Sequence, residues 1–188
     1  MNKKMKKSSY IILLLILIAA TLCAGLSYKL LTRHIPEPTL GVFIKNGLIY
    51  KDRDDKPFTG TVVASVAGNT LEYDVVNGIK NGRFNVYKHP DQFILSGSVR
   101  NNQNTGEWIY YYPNGKIESK GEFVKDQLNG RWIWYYEDGS VKQEGYFVNG
   151  EREGNWVMYN EDGIIQSKVS FQKGKTVSII KTEKLISI

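Results

Sequence analysis

A repeat with a period of 24 residues constrains the fold of this chain more than any other feature of its sequence. The segment Gly106-Glu-Trp-Ile-Tyr-Tyr recurs from Gly130 and from Gly154, and a weaker copy begins at Gly82. A degenerate earlier unit begins at Gly60 and is two residues shorter. The aromatic residues of the four clear copies fall in register: Phe84, Trp108, Trp132 and Trp156, and Tyr87, Tyr111, Tyr135 and Tyr159. So short a period indicates a tandem array of small supersecondary units.

Each unit contains two turn signals, which divide it into two strands of about ten residues. The first is Asn114-Gly115, Asp138-Gly139 or Asp162-Gly163; the second is Asn77-Gly78, Asn101-Asn102, Lys125-Asp126, Asn149-Gly150 or Lys173-Gly174. Asn-Gly and Asp-Gly favour two-residue hairpin turns, in which both residues have positive φ. The repeats therefore predict an all-β, elongated, single-layer, twisted antiparallel β-meander of tandem hairpins.

Strand pairing across these turns predicts which residues share a face. A two-residue turn at Asn114-Gly115 places Trp108 opposite Gly121, and the next unit places Trp132 opposite Gly145, so that a ring can cover exposed backbone. We interpret this as the packed face, with Ile117, Phe123, Val141, Phe147, Ile165 and Phe171 beside the tryptophans. The other face carries tyrosine and aliphatic residues among charges: Ile109, Tyr111, Glu118, Lys120, Glu122, Ile133, Tyr135, Lys142, Glu144 and Tyr146.

The two ends of the array differ from its interior, as the terminal units of repeat proteins usually do. Residues 41–59 are predicted to form a capping hairpin with Asn46-Gly47 as its turn, and residues 60–175 the repeat array. Residues 176–188 are predicted to form a final edge strand and tail. The neighbouring Lys175, Lys181 and Lys184 would discourage aggregation through that edge.

The N-terminal segment predicts an attachment to a membrane. Residues 1–7 are rich in lysine, and an uninterrupted run of uncharged residues extends from Ser8 to Tyr28. As a helix this run would span roughly 30 Å, the thickness of a bilayer core. We therefore expect a transmembrane signal anchor at 8–31, the lysine-rich start in the cytoplasm, and the repeat domain outside it. An extended linker at 32–40, which contains Pro36-Glu-Pro38, would join the two.

Two other interpretations of this segment remain open. It is also compatible with a cleaved secretory signal, with Leu22 and Ala24 at the −3 and −1 positions, which would give a secreted or periplasmic protein. Alternatively, Cys23 could be acylated as in a lipoprotein, although Leu22 stands where a small residue is expected.

Charge and composition exclude several functions. The first 31 residues hold five lysines and no acidic residue, so residues 32–188 carry 20 basic and 19 acidic residues. A domain so close to neutral lacks the basic surface of a nucleic-acid-binding protein. One cysteine excludes an internal disulfide framework.

No group of residues predicts catalysis, a metal or a cofactor. His34 lies in the linker and His89 in a turn, and the glycines follow the repeat rather than a nucleotide-binding loop. Asp52-Arg-Asp54-Asp55 lacks the glycine and distal glutamate of a calcium loop. The pairs Glu137-Asp138 and Glu161-Asp162 are explained by turn preference. We therefore expect no enzyme activity, no cofactor and no small-molecule substrate.

The repeats resemble the MORN-repeat variant family, a bacterial group often labelled YwqK-type antitoxins. The resemblance rests on the Gly-x-Trp/Phe-x-x-Tyr strand, the Asn/Asp-Gly turn and the Phe/Tyr-Val-x-Asn-Gly return, and it covers about residues 46–175. Lys56-Pro-Phe-Thr-Gly60 is similar to the segment that precedes the first repeat in this family. The family name implies a protein that neutralises a toxin by binding it.

These observations predict a non-enzymatic, membrane-anchored protein of the bacterial envelope. We expect it to bind a protein partner, or to act as a scaffold, through an aromatic face. The candidate binding residues are Tyr87, Tyr111, Tyr135, Tyr159, Ile109 and Ile133, because tyrosine offers a large contact area at low rotamer cost. The alternative is an antitoxin or immunity-type protein that neutralises a toxin by direct binding.

Overall fold

The structure is a computed structural model that describes residues 39, 41–52, 54–88 and 92–181. The predicted transmembrane anchor, most of the linker, both histidines and the C-terminal residues 182–188 lie outside the described residues. Among the described residues, no helix is long and apolar enough to cross a membrane.

Thirteen strands make up the described chain, and they follow one another as hairpins. The strands are β1 (Val42–Lys45), β2 (Leu48–Lys51), β3 (Gly60–Val66), β4 (Asn69–Val76), β5 (Ile79–Lys88), β6 (Gln92–Arg100), β7 (Gln103–Tyr111), β8 (Ile117–Val124), β9 (Gln127–Tyr135), β10 (Val141–Val148), β11 (Glu151–Tyr159), β12 (Ile165–Gln172) and β13 (Lys175–Lys181). Strands β3 to β13 form one 11-stranded sheet in which sequence neighbours are also spatial neighbours. All pairs are antiparallel, so the predicted all-β meander of tandem hairpins is confirmed.

The first hairpin, β1–β2, forms a separate two-stranded sheet. Ile49 packs with Val62 and Val75 in a small apolar cluster, and Val42, Phe58 and Tyr73 surround it. The backbone N–H of Ile49 donates to the carbonyl of Gly78 over 2.9 Å. The hairpin therefore covers part of β3 and β4, and the sheet is a single layer only beyond this end.

The repeats contain both two-residue and three-residue turns, whereas the sequence predicted two-residue turns throughout. The second turn of each unit has positive φ at both central residues, as at Asn149 (50°) and Gly150 (83°), which confirms the two-residue turn there. In the first turn only the glycine has positive φ, as at Gly115 (81°). The N–H of Tyr112 donates to Lys116 and the N–H of Gly115 donates back to Tyr112, so this turn has three residues.

The three-residue turn changes the predicted face of one residue in each unit. Tyr111 pairs with Ile117, and Tyr110 pairs with Ser119, which leaves Glu118 as the extra residue of a β-bulge. Ile117 therefore lies on the tyrosine side, not on the tryptophan side as predicted, and Val141 and Ile165 are shifted in the same way. The bulge restores the predicted register beyond it, so the pairs Trp108–Gly121 and Trp132–Gly145 are confirmed.

The tryptophans form the main core of the sheet. Trp108, Trp132 and Trp156 are 4%, 3% and 1% exposed. Phenylalanines alternate with them in edge-to-face contacts: Trp132 and Phe123 have ring centroids 5.5 Å apart, and Phe147 and Trp156 have centroids 5.0 Å apart. This row of rings extends from Phe84 to Phe171, and we call the side that carries it the tryptophan face.

Each tryptophan ring leans toward the strand before its own. A Cβ added to Gly121 would collide with the ring of Trp132, and Gly97 and Gly145 stand in the same relation to Trp108 and Trp156. The Trp132 indole N–H donates to the carbonyl of Glu122 over 3.1 Å. From the sequence, we predicted that each ring covers the paired glycine on the following strand. In the structure, the ring covers the glycine on the preceding strand instead, and the carbonyl that accepts its N–H lies on that strand too.

Candidate binding surface

The opposite side of the sheet, which we call the tyrosine face, carries the predicted binding residues. Strand alternation places them there, because successive side chains of a strand point to opposite sides. Tyr111 and Tyr135 come two residues after Ile109 and Ile133, so all four share this face. The structure describes each of the six candidate residues and brings them to one side: Tyr87, Ile109, Tyr111, Ile133, Tyr135 and Tyr159.

Each tyrosine has a counterpart 15 residues earlier, on the preceding strand. The Tyr87 hydroxyl donates to Glu72 over 3.0 Å, and the Tyr159 hydroxyl donates to Glu144 over 2.8 Å. The hydroxyls of Tyr111 and Ser96 are 3.4 Å apart. For Tyr135 the equivalent position is Lys120. The tyrosines at the two ends of the column are therefore tied to carboxylates, while the two central ones face neutral or basic residues.

Arginines hold the two carboxylates in place. Arg83 Nε donates to Asp74 over 3.0 Å, and its Nη1 lies 3.7 Å from Glu72. Arg131 forms the corresponding ion pair with Glu144. The sequence did not predict these two Arg–Glu–Tyr networks. The units between them have other residues at the glutamate position, namely Ser96 and Lys120, so the repeat gives no consistent pattern.

Tyr87 differs from the other three tyrosines because it is only 2% exposed. Its ring also contacts Phe93, with centroids 6.0 Å apart. Tyr111, Tyr135 and Tyr159 are half-buried, so part of each ring remains accessible. Of the four tyrosines predicted to bind a partner, three are therefore accessible, and Tyr87 is not.

Five half-buried side chains form a contiguous surface at the centre of the sheet. Lys120 pairs with Ile109 on one side and with Ile133 on the other, and Tyr111 and Tyr135 continue the same strands. We call this the central patch: Ile109, Tyr111, Lys120, Ile133 and Tyr135. Exposed charged residues border it, among them Glu107, Glu122 and Arg131. An aromatic and aliphatic centre with a charged rim is typical of protein-binding surfaces.

A cavity of about 440 Å³ adjoins the patch at Tyr111. Its walls come from the turn at Ala67, from the ends of β5 and β6 at Lys88 and Phe93, and from the turn at Tyr112. The cavity could accept a side chain of a molecule bound on the patch.

The ionisable groups of the tyrosine face show shifts that follow from these contacts. The hydrogen bond from Arg131 holds the pKa of Glu144 below its ordinary value of 4.5, against the opposing effect of burial. The hydrogen bond to Glu144 raises the pKa of Tyr159 above 10.0. Both pKa shifts are explained by a structural network, because the carboxylate of Glu144 already bonds to Arg131 and Tyr159.

Acidification is expected to weaken this network. The folded pKa of Glu144 lies below the unfolded one, so its contribution is complete above about pH 5 and disappears as the pH falls through the folded value. The pair is partly exposed, and we expect a contribution of about 1 kcal/mol or less. Urea titrations between about pH 6 and about pH 3 should show a shallower pH dependence for Glu144→Gln than for the native chain.

Glu161→Gln is the matched control for this measurement, because Glu161 lies exposed in the turn between β11 and β12. It should retain the native pH dependence. Equal slopes for the two variants would show that the Glu144 network contributes nothing.

Among the described residues, no group of three or more histidine, cysteine, aspartate or glutamate side chains could hold a metal ion. The acidic pair at Glu137 and Asp138 serves the turn: Asp138 accepts hydrogen bonds from the backbone N–H of Ser140 over 2.7 Å and from its hydroxyl over 2.6 Å.

The fold and this surface define a tandem β-hairpin repeat protein, and a comparison with protein families agrees. The MORN repeat variant matches residues 104–125, 128–149 and 152–173, which are three consecutive units of the array. The chain therefore contains three tandem MORN-type repeats.

Comparisons with individual proteins add little. No curated protein matches the chain. Among solved structures, it is similar to a mutant of S. aureus TarM in complex with fondaparinux, α-GlcNAc-glycerol and UDP, at 10% identity and a TM-score of 0.20. That match covers 64% of this chain and 19% of the TarM chain.

Proposed function

We propose that this protein is a non-enzymatic, membrane-anchored binding protein or scaffold of the bacterial envelope, and that it binds a protein partner through the central patch. The observation that carries the proposal is the contiguity of Ile109, Tyr111, Lys120, Ile133 and Tyr135 on the face opposite the tryptophan core. These side chains are half-buried, whereas the tryptophan rings on the other face are almost completely buried. Their accessible aromatic and aliphatic area supports a role in recognition.

The chemistry of the patch favours a protein partner over the other classes of ligand. Tyrosine and isoleucine side chains supply apolar area, and Lys120 supplies one positive charge among them. The surrounding rim carries both signs of charge, which does not favour a nucleic acid or a strongly anionic lipid surface. An immunity-type protein that neutralises a toxin would be a special case of the same binding, and it is distinguished by the identity of the partner.

In-cell crosslinking of the tagged full-length chain, followed by mass spectrometry, tests the proposal. The variant Tyr111→Ala with Tyr135→Ala should reduce the yield of the main crosslinked partner at least tenfold, because each lost interface tyrosine can cost about 2 kcal/mol. Tyr146→Ala is the matched control: Tyr146 is 53% exposed but lies outside the central patch.

The outcomes separate the alternatives. A single toxin-like partner that is lost only in the patch variant would identify an immunity-type protein. A single envelope protein lost in the same way would identify a scaffold. A set of abundant neighbours that does not change between the variants would contradict the proposal, provided that thermal unfolding shows both variants to be folded.

A further inference from the structure

The two outer edges of the 11-stranded sheet differ. At the β3 edge, Thr39 forms hydrogen bonds to the backbone of Val63. The backbone N–H of Thr39 donates to the carbonyl of Val63 over 2.9 Å, and the hydroxyl of Thr39 accepts from the N–H of Val63 over 3.0 Å. At the other end, β13 pairs with β12, and no strand among the described residues pairs with its outer side. All seven residues of β13 are exposed. Within the described part of the chain, Thr39 therefore contacts the backbone at one outer edge of the sheet, whereas no strand pairs with the other outer edge.

Apolar side chains on both sides of β13 are largely uncovered. Val177, Ile179 and Ile180 are 63%, 59% and 62% exposed. Ile179 pairs with Val169, and Ile180 pairs with Lys168, so they project from opposite faces of the sheet. A further strand alongside β13 would supply neighbours on both faces at once.

Basic residues stand at both ends of this apolar strand. Lys175 opens β13 and Lys181 closes it, and Lys173 lies in the turn immediately before it. Among the described residues of β13 there is no acidic side chain to balance them. The edge therefore combines unpaired backbone groups, an apolar centre and positively charged ends.

We propose that the outer edge of β13 binds an extended, acidic segment of a partner protein, which adds to the sheet as a twelfth strand. Backbone hydrogen bonds provide the attachment, as in other cases of strand addition. Apolar side chains of the segment contact Val177, Ile179 and Ile180, and carboxylates at its ends pair with Lys175 and Lys181. This site is separate from the central patch, which lies on the face of β7–β9.

The arrangement of charges argues against a second copy as the occupant. If two β13 strands paired antiparallel near Ser178, Lys175 of each would lie close to Lys181 of the other, and like charges close together across a strand pair are destabilising. Pairing of β13 with β3 of another copy is opposed by Thr39, which already occupies that edge. A carboxylate-bearing segment meets neither obstacle.

Two labelled seven-residue peptides test the proposal on the full-length chain in detergent. Both alternate valine and threonine at the five central positions; one has glutamate at each end and the other has lysine. Fluorescence anisotropy should show binding of the acidic peptide and at least tenfold weaker binding of the basic one. Added salt should reduce the difference, since the contacts at the strand ends are exposed.

A charge reversal provides the decisive variant. Lys175→Glu with Lys181→Glu should weaken binding of the acidic peptide at least tenfold and should reverse the preference in favour of the basic peptide. The matched control is Lys116→Glu with Lys125→Glu, which makes the same change at the two ends of β8, an interior strand with both edges paired. It should bind as the native chain does.

Four results would overturn the proposal. Binding of neither peptide would mean that the lysines act only to keep this edge from aggregating. Equal loss in both charge variants would mean that the attraction is nonspecific. Dimerisation of the native chain, seen by sedimentation and abolished by Ile179→Pro, would identify a second copy as the occupant. Binding that appears only after truncation at Lys181 would show that the C-terminal residues of the chain cover the edge.

Discussion

Replacement of Trp132 by alanine is expected to lower the free energy of unfolding by about 3–5 kcal/mol, the range for removing a large aromatic side chain from a core. Trp132 is 3% exposed and contacts Phe123, Trp134 and Phe147. Its indole N–H also satisfies the carbonyl of Glu122.

Tyr135→Ala provides the comparison, because Tyr135 belongs to the same strand and the other face. It is half-buried and lies outside the aromatic row, so we expect its removal to cost about 1–2 kcal/mol. Chemical denaturation of the two variants measures the difference. Equal losses would show that the two faces contribute equally to stability and that the tryptophan face is not the main core.

Gly121→Ala is expected to have the second-largest effect, about 1–3 kcal/mol of destabilisation from overpacking. The backbone of Gly121 is compatible with alanine, and the obstacle is the ring of Trp132, which an added Cβ would meet well inside van der Waals contact. The Trp132 ring cannot move aside freely, because Phe123 and Phe147 pack against it in edge-to-face contacts.

A double-mutant cycle isolates this contact. In the background of Trp132→Ala, the substitution Gly121→Ala should cost little, since the atoms it would collide with are gone. The coupling between the two positions should therefore reach about 1–3 kcal/mol. Strict additivity would contradict the arrangement of ring over glycine. It would mean instead that the cost of Gly121→Ala arises within β8 and not from the Trp132 ring.

The correct parts of the fold prediction came from features that act locally. Asn149-Gly150 and the equivalent pairs favour a two-residue turn through their own backbone preferences. Because these pairs recur every 24 residues, the same turn recurs along the chain. The register of Trp108 and Gly121 was also correct, although for an incomplete reason. The first turn is one residue longer than predicted, and the bulge at Glu118 compensates for it.

The errors arose where the outcome depends on the pairing of neighbouring strands as well as on the turn residues. Ile117 changes face because a three-residue turn and a bulge occur in succession, and neither is distinguished from a two-residue turn by Asn114-Gly115 alone. The direction in which Trp132 leans depends on which neighbouring strand offers both a glycine beneath the ring and an acceptor for its N–H. Both neighbours have a glycine in the sequence, and the structure selects the preceding strand.

The candidate surface shows the same division. Strand alternation placed Tyr87, Tyr111, Tyr135 and Tyr159 on one face, because side chains in a strand repeat every second residue. Their accessibility could not be inferred in this way: Tyr87 is buried and tied to Glu72, whereas Tyr111 and Tyr135 remain half-exposed. Burial depends on what packs around a side chain, which strand parity does not specify.

The sequence by itself determined the repeat, the antiparallel meander and the separation of tryptophan and tyrosine onto opposite faces, since turn preferences and side-chain alternation are properties of short segments. Only the tertiary structure decided which tyrosines remain accessible and which residue contacts the β3 edge of the sheet. At the β3 edge, Thr39 bonds to Val63, which lies 24 residues away along the chain. Contacts of that kind join residues far apart in the chain, and no local pattern encodes them.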